Sequence, residues 1–170
     1  MKIPVFVSSP TALNSVQQES YDLVIKHLIE LQLEPRRLGD SDYPNDYPLR
    51  EVAVIAKHCS GGVILGFEQL RVFKGIIKPG TTKEKKLDSD SPISFPTPWN
   101  QLESGILFGL KLPLLIFREA NITGGVFDEG VTELFVQKMP NSNQTKEDIS
   151  GLNQVFLKWY ARVSENYFRF

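Results

Sequence analysis

"GGVILGF", residues 61–67, is a short run of small and apolar residues that ends just before a glutamate. A run of this length is typical of a strand in a parallel sheet that helices cover on both faces. A second run, "LPLLIF" at residues 112–117, has a similar character. Both runs are far shorter than the roughly 20 residues that a membrane-spanning helix needs. We therefore interpret residues 61–67 as the central strand of a parallel sheet.

Further strands and helices alternate on both sides of this pair. Strands are predicted in "IPVFVSS" (3–9), in "LEPRRLG" (33–39), where Pro35 suits an edge strand, and in "VTELFVQKM" (131–139). Helices are predicted at 16–32, from Pro48, from Thr97 and Pro98, and at 152–167. The alternation predicts an α/β fold. We expect a flavodoxin-like three-layer sandwich, with a mainly parallel five-stranded sheet of order 2-1-3-4-5 and helices on both faces, formed by residues 1–170 as one domain.

Helical spacing also predicts the residues that face the core. Gln17 is predicted to face outward. For the four predicted helices in chain order, the residues predicted to face the core are Tyr21, Val24, Leu28 and Leu31; Leu49, Val52, Ala56 and Cys59; Trp99, Leu102, Ile106 and Leu110; and Leu152, Val155, Trp159 and Val163.

Residues 70–96 form a polar stretch in which no period is sustained. A long structureless loop in a compact domain is usually a functional lid or a disordered insertion. We expect this segment to be a long loop insertion whose run of charges is simply solvated.

Composition narrows the classes of function. The formal net charge is −1, so we expect neither DNA nor RNA as the main partner. The single cysteine, Cys59, cannot form an internal disulfide and favours a reducing cytoplasm. Two histidines and one cysteine do not favour a zinc site. With no secretion signal or apolar span in the sequence, we expect no membrane partner.

The predicted topology gathers several loops at one edge of the sheet. In folds of this type, ligands bind at the carboxyl ends of the strands. Residues from the loops after the first three strands and from the start of the third helix converge there: Ser8, Ser9 and Pro10, Asp40 and Asp42, Phe67 and Gln69, and Glu103. This convergence predicts a ligand site, and we expect no metal in it.

Glu103 has two interpretations. It lies four residues after Trp99, so the two side chains are neighbours on one flank of the helix. A carboxylate there is either a partner for the helix dipole or a partly desolvated group at the ligand edge. Trp99 itself either stacks on a bound ring or, as we favour, packs in the core.

The other polar candidates have structural alternatives as well. Ser8 and Ser9 either bind a ribose or phosphate or satisfy the backbone of their own loop. Arg36 and Arg37 point in opposite directions on a strand, and we select Arg37 as the one that binds a diphosphate.

Several of these stretches resemble Toll/interleukin-1 receptor (TIR) domains. "PWNQLE" is similar to the Trp-x-x-x-Glu element of the catalytic members, on the helix after the third strand. "PVFVSSP", "RRLGDSDYPNDYP" and "CSGGVILGF" resemble the first strand, the loop after the second strand and the third strand of that family. The resemblance covers approximately residues 3–67 and 97–136.

The same region also resembles nucleoside 2-deoxyribosyltransferases. "LESGILFGLKLPLLI" is similar to the region of that family in which a glutamate on the equivalent helix precedes a Pro-Leu or Pro-Val strand. Both resemblances point to Glu103 as the catalytic residue, and both imply cleavage of an N-glycosidic bond at a ribose.

The TIR resemblance implies an NAD glycohydrolase or cyclase, with NAD as substrate and no separate cofactor. It also implies a role in bacterial antiviral or cell-death signalling and a homo-oligomer on activation. One alternative is a nucleoside 2-deoxyribosyltransferase or nucleotide N-glycosidase. Another is a non-catalytic module that binds nucleotides or proteins.

Leaving-group chemistry favours NAD among these. Loss of a base from C1′ passes through an oxocarbenium-like state that a carboxylate stabilises. Nicotinamide leaves NAD as a neutral molecule, whereas an ordinary purine or pyrimidine needs a proton from a second acid. Asp40, Asp42 and Asp128 are candidates for that acid, but aspartates in turns are usually structural.

Overall fold

The computed structural model describes residues 2–39, 47–132 and 135–169. The strands are β1 (Ile3–Ser8), β2 (Leu33–Arg36), β3 (Gly62–Gly66), β4 (Leu70–Val72), β5 (Gly75–Ile77), β6 (Lys85–Leu87), β7 (Ile93–Phe95), β8 (Leu114–Arg118) and β9 (Gln137–Lys138). The helices are α1 (Ser15–Glu30), α2 (Pro48–Lys57), α3 (Pro98–Gly109) and α4 (Lys146–Phe168), with a short 3-10 helix at Gly125–Phe127.

Five of the strands form the main sheet, in the order β2-β1-β3-β8-β9. The four pairings between them are all parallel. Because these five strands follow the chain order 2-1-3-4-5, the predicted α/β sheet topology is confirmed. β3 lies at the centre, and each of its five residues is buried.

The sheet has a hydrophobic core on each face. Alternate residues of β1, β3 and β8 point to opposite faces, as the pleat requires. One core joins the sheet to α1 and α4 and includes Val5, Val63, Leu65, Phe117, Leu28, Phe156 and Trp159. The other joins it to α2 and α3 and includes Phe6, Ile64, Ile116, Val52, Leu107 and Phe127. Helices therefore cover both faces, as predicted.

Helix starts follow the capping signals in the sequence. Thr97 caps α3 by accepting a hydrogen bond from the backbone N–H of Asn100, and Pro98 occupies the first turn. Thr145 and Asp148 form a capping box that starts α4 at Lys146. The last helix therefore begins earlier than the predicted residue 152.

Three of the four residues predicted for the buried stripe of α3 are exposed, and the fourth, Ile106, is partly buried against the core that α2 and α3 cover. Trp99, Leu102 and Leu110 are exposed by 42%, 48% and 37%, whereas Asn100, Ser104 and Leu107 face the sheet. The polar side chains are tolerated inside because they are hydrogen-bonded, Asn100 to Ser8 and Leu65 and Ser104 to the backbone of Asn100.

The predicted burial of two other side chains is also wrong. Gln17 is buried, because its amide donates to the Glu119 carboxylate and to the backbone carbonyl of Glu68. Leu49 is exposed, although Val52, Ala56 and Cys59 of the same predicted stripe are buried.

The segment 70–96 is not structureless. β4 pairs with β7 and β5 pairs with β6, both antiparallel. The predicted strand at 131–139 is shorter than expected, since β9 contains only Gln137 and Lys138, and residues 133–134 lie outside the described part of the chain. Among the described residues, no helix is both long and apolar enough to cross a membrane.

Packing between β3 and the 3-10 helix gives a test of the fold. A Cβ added at Gly66 would lie 2.5 Å from the ring of Phe127, which is fully buried. Gly66→Ala is expected to destabilise the protein by about 1–3 kcal/mol through overpacking. Urea denaturation measures the free energy of unfolding.

Gly105→Ala is the matched control, because its added Cβ would meet nothing within 4 Å on α3. Removing a helical glycine is expected to stabilise the protein by up to about 1 kcal/mol. Wild-type stability for Gly66→Ala would contradict the packing of β3 described here.

Candidate active site

A cavity of about 250 Å³ lies at the carboxyl edge of the main sheet. It is enclosed by the loop after β1, the end of β2 and the first turns of α2 and α3. The residues that line it include Ser9, Pro10, Arg37, Pro48, Trp99 and Glu103. The structure thus brings together side chains from four separate parts of the sequence, at the edge that the topology predicted.

Two wider grooves lie elsewhere, with volumes of about 710 and 700 Å³. The first lies beside Lys111 and Arg162, at the opposite end of β8, and the second lies beside β9. Burial raises the pKa of the Glu103 carboxyl group, and Glu103 faces the smaller cavity. A carboxyl group with a shifted pKa in a cavity is a candidate functional group, so we take the smaller cavity as the candidate active site.

The electrostatic environment of Glu103 is dominated by burial. Loss of contact with water raises the pKa of its carboxyl group from 4.5 to about 7. A hydrogen bond with Ser8 and the positive charge of Arg37 act in the opposite direction and lower the pKa. Glu103 is therefore near its midpoint of ionisation at neutral pH.

Asn100 positions the hydroxyl group that meets Glu103. Its Nδ2 donates to Ser8 Oγ over 2.9 Å and to the carbonyl oxygen of Leu65 over 3.3 Å. Ser8 is fully buried, and Asn100 is 1% exposed. Because Ser8 Oγ accepts a hydrogen bond from Asn100, its own proton is available to the Glu103 carboxylate.

Arg37 fixes the loop after β1. Its Nη2 donates to the carbonyl oxygen of Pro10 over 2.6 Å and to that of Ser9 over 3.2 Å. The guanidinium carbon lies 5.5 Å from the centre of the Tyr21 ring, within the range of a cation–π contact. Arg36, in contrast, forms an ion pair with Glu34 at 3.5 Å. The structure thus places Arg37, and not Arg36, on the cavity wall.

Trp99 also lies on the cavity wall. The expectation that Trp99 packs in the core is wrong, because its side chain is substantially exposed. An indole ring beside a carboxylate and a guanidinium can stack on a planar ring.

The other residues predicted to contact the substrate, or to act as an acid, do not share one location. Phe67 is fully buried in the core and does not reach the cavity. Gln69 is exposed, and its Nε2 donates to the carbonyl oxygen of Ala12 over 3.1 Å, away from the cavity wall. Asp40 and Asp42 lie outside the described residues. Asp128 accepts a hydrogen bond from the backbone of Gly124, as expected of a structural aspartate in a turn.

Asn100 is a site residue that the sequence analysis did not predict. The signal was present, because Asn100, Ser104 and Leu107 have helical spacing and so share one face. That face carries two polar residues, so a hydrophobic pattern does not select it. A polar residue that faces a sheet one turn before a candidate catalytic carboxylate is the feature that would have identified it.

The chemistry available in the cavity is limited. Among the residues in the described part of the chain, no group of three or more His, Cys, Asp or Glu side chains could hold a metal ion. The charged side chains on the described cavity wall are those of Glu103 and Arg37. One carboxylate with a hydrogen-bonding hydroxyl can stabilise a developing cation or attack it.

Comparison with known proteins does not assign this chain to a family. No protein-family model, curated protein or solved structure matches this chain.

The raised pKa of Glu103 predicts a pH-dependent stability. Since the folded state holds this proton more tightly than the unfolded state does, wild-type stability falls as the pH rises from 4.5 to about 7. Glu103→Gln removes the ionisation, so its stability relative to wild type is expected to increase by about 2–3 kcal/mol between pH 5 and pH 8. Urea denaturation across this pH range measures the difference.

Glu129→Gln, at an exposed position, is the control and is expected to show no such trend. A constant difference between Glu103→Gln and wild type over the same pH range would show that Glu103 is solvated in the folded protein.

Proposed function

We propose that this protein is a TIR-like N-glycosidase that cleaves the bond between nicotinamide and ribose in NAD. The observation that carries the proposal is the partly desolvated carboxylate of Glu103, which faces a cavity at the carboxyl edge of a parallel sheet. The proposal assigns the catalytic role to Glu103.

The bond that breaks joins C1′ of the ribose to the ring nitrogen of nicotinamide. Its electron pair goes to that nitrogen, which was cationic, so nicotinamide leaves neutral without accepting a proton. The ionised Glu103 carboxylate stabilises or captures the positive charge that develops at C1′. Water then attacks C1′ and releases ADP-ribose and a proton, or a nucleophile within the substrate attacks and closes a ring.

The residues around Glu103 match the requirements of this reaction. The proton of Ser8, oriented by Asn100, holds the carboxylate in place while it is ionised. Trp99 offers a planar surface for the nicotinamide ring, and Arg37 offers a positive charge for phosphate. Ser9 and Pro10 shape the wall through the backbone carbonyls that Arg37 holds.

Partial desolvation is consistent with such a role. Charge interactions are stronger where water is excluded, so a carboxylate in this cavity acts on a nearby cation more strongly than an exposed one does. The positive charge of a bound nicotinamide ring would itself favour ionisation of Glu103. Substrate binding thus supplies the ionised form that the reaction needs.

The biological setting belongs to the same proposal. TIR-like enzymes of this type act in bacterial antiviral or cell-death signalling, in the cytoplasm, and assemble into homo-oligomers when activated. A homo-oligomer on activation is therefore part of this proposal.

A nucleoside 2-deoxyribosyltransferase or nucleotide N-glycosidase is the second candidate. The observation in its favour is the cavity volume of about 250 Å³, just below the ~300–1,000 Å³ that is usual for ligand sites. This space suits one nucleoside. Against it, the described cavity wall carries no second carboxyl group to protonate an ordinary base.

Release of nicotinamide tests the main proposal. Wild-type protein, assayed at high concentration and with a crowding agent, is expected to release nicotinamide from NAD. Glu103→Gln is expected to lower the rate at least about 100-fold, because it removes the charge that stabilises the transition state. Chromatography of the products measures both nicotinamide and ADP-ribose.

Glu129→Gln serves as the matched control and should retain wild-type activity. Base exchange among deoxynucleosides without consumption of NAD would replace the main proposal with the second candidate. Binding of NAD without turnover of either substrate class would indicate a non-catalytic nucleotide-binding module.

The pH dependence of the reaction tests the role of Ser8. For wild type, kcat/KM is expected to rise with pH as Glu103 ionises, with a midpoint near the pKa of about 7. Ser8→Ala removes a hydrogen bond that lowers this pKa, so its midpoint is expected to move to higher pH. Ser9→Ala, in the same loop, should keep the wild-type midpoint. Unchanged midpoints in both variants would exclude Ser8 as the partner of Glu103.

A further inference from the structure

A second cavity, of about 300 Å³, adjoins the one that contains Glu103. Its walls come from the loop after β1, the first turns of α1 and the end of β2. Leu13, Gln18 and Tyr21 line it alone, whereas Thr11, Arg37 and Leu38 line both cavities. Two spaces of similar size therefore meet at one arginine.

Arg37 is held firmly at this junction. The Tyr21 ring lies against its guanidinium group at 5.5 Å, and the carbonyl oxygens of Ser9 and Pro10 accept hydrogen bonds from its Nη2. A guanidinium group remains charged at any physiological pH and matches the geometry of phosphate. These contacts thus fix the position of a guanidinium group at the junction of the two cavities.

The second cavity suits a neutral nucleoside. Leu13 and Tyr21 are partly buried against the core and give it apolar walls. Gln18 and Thr11 lie at its exposed rim. Gln18 Nε2 donates to Asp22 Oδ1 over 2.9 Å, which leaves the amide oxygen of Gln18 and the hydroxyl group of Thr11 to bind a ligand. Of the described residues that line it, Arg37 carries the charge.

We infer that this second cavity is the subsite for the second nucleoside of a dinucleotide substrate, with the diphosphate lying against Arg37. This inference rests on the proposed function, which places the nicotinamide riboside half beside Glu103. A dinucleotide consists of two nucleosides joined by an anionic diphosphate, and the protein presents two cavities joined by a cation. The small volume of the Glu103 cavity is then explained, because it needs to hold only half of the substrate.

Three substrates of increasing size separate the parts of the site. Nicotinamide riboside has no phosphate, nicotinamide mononucleotide has one phosphate, and NAD has a diphosphate and a second nucleoside. KM for each is measured on wild type, Arg37→Gln and Gln18→Leu, with Gln154→Leu as a matched control at an exposed position on α4. Ratios of KM within one variant cancel any shared effect on Glu103.

The two substitutions are expected to act on different substrates. Gln18→Leu removes a neutral hydrogen-bonding group, so KM for NAD is expected to rise about three- to tenfold while KM for the two smaller substrates stays constant. Arg37→Gln removes a charge, so KM for NAD and for the mononucleotide is expected to rise at least about tenfold relative to the riboside. Gln154→Leu should leave all three values unchanged.

Binding of ADP, measured by calorimetry, provides a readout that does not depend on activity. ADP contains the diphosphate and second nucleoside, so both substitutions are expected to weaken its binding. Weakened ADP binding without release of nicotinamide from any substrate would uphold the subsite and refute the proposed reaction. Cleavage of NAD with wild-type KM ratios and wild-type ADP affinity in both variants would overturn the subsite and leave the reaction intact.

Discussion

The hydrogen bond from the Asn100 amide to the Ser8 hydroxyl fixes α3 against the carboxyl edge of the main sheet, where the candidate active site lies. It joins α3 to the end of β1, and the second bond of the same amide, to Leu65, joins α3 to β3. Both Asn100 and Ser8 are buried, so loss of either partner leaves an unsatisfied polar group at a cost of about 1–3 kcal/mol. The same bond directs the Ser8 proton toward Glu103. One interaction therefore sets both the approach of the helix and the orientation of the candidate catalytic group.

Glu103 illustrates a conflict between stability and chemistry. Burial disfavours its charged form, and neither the Ser8 hydroxyl nor the charge of Arg37 fully compensates. A carboxylate chosen for stability alone would lie in solvent, as many other carboxylates of this chain do. Partial burial is useful where the carboxylate must interact with a cation in the cavity, as in departure of nicotinamide from NAD. The environment of Glu103 thus supports the proposed reaction on physical grounds, independently of family resemblance.

The sheet was predictable from sequence, because short apolar runs between turn signals identify strands and parallel topology fixes where their carboxyl ends meet. That reasoning correctly located Glu103 at this edge, whereas Arg37, which lines the same cavity, was selected for the match between guanidinium and phosphate. The orientation of α3 was not predictable, because its apolar stripe, including Trp99, is more conspicuous than the polar face that packs inward. Asn100 is satisfied by Ser8, 92 positions away, and no local pattern contains that information. The strands within residues 70–96 were missed because each has three residues, too few to establish a period.

The most direct test of the central claim is an NMR titration of the Glu103 side-chain carboxyl carbon. Protein labelled with ¹³C at glutamate side chains gives one titrating signal per glutamate, and Glu103→Gln identifies the signal of interest by its loss. The structure predicts a midpoint at about pH 7 for Glu103. A midpoint near the ordinary value of 4.5 would show that Glu103 is fully solvated, and the active site described here would not exist.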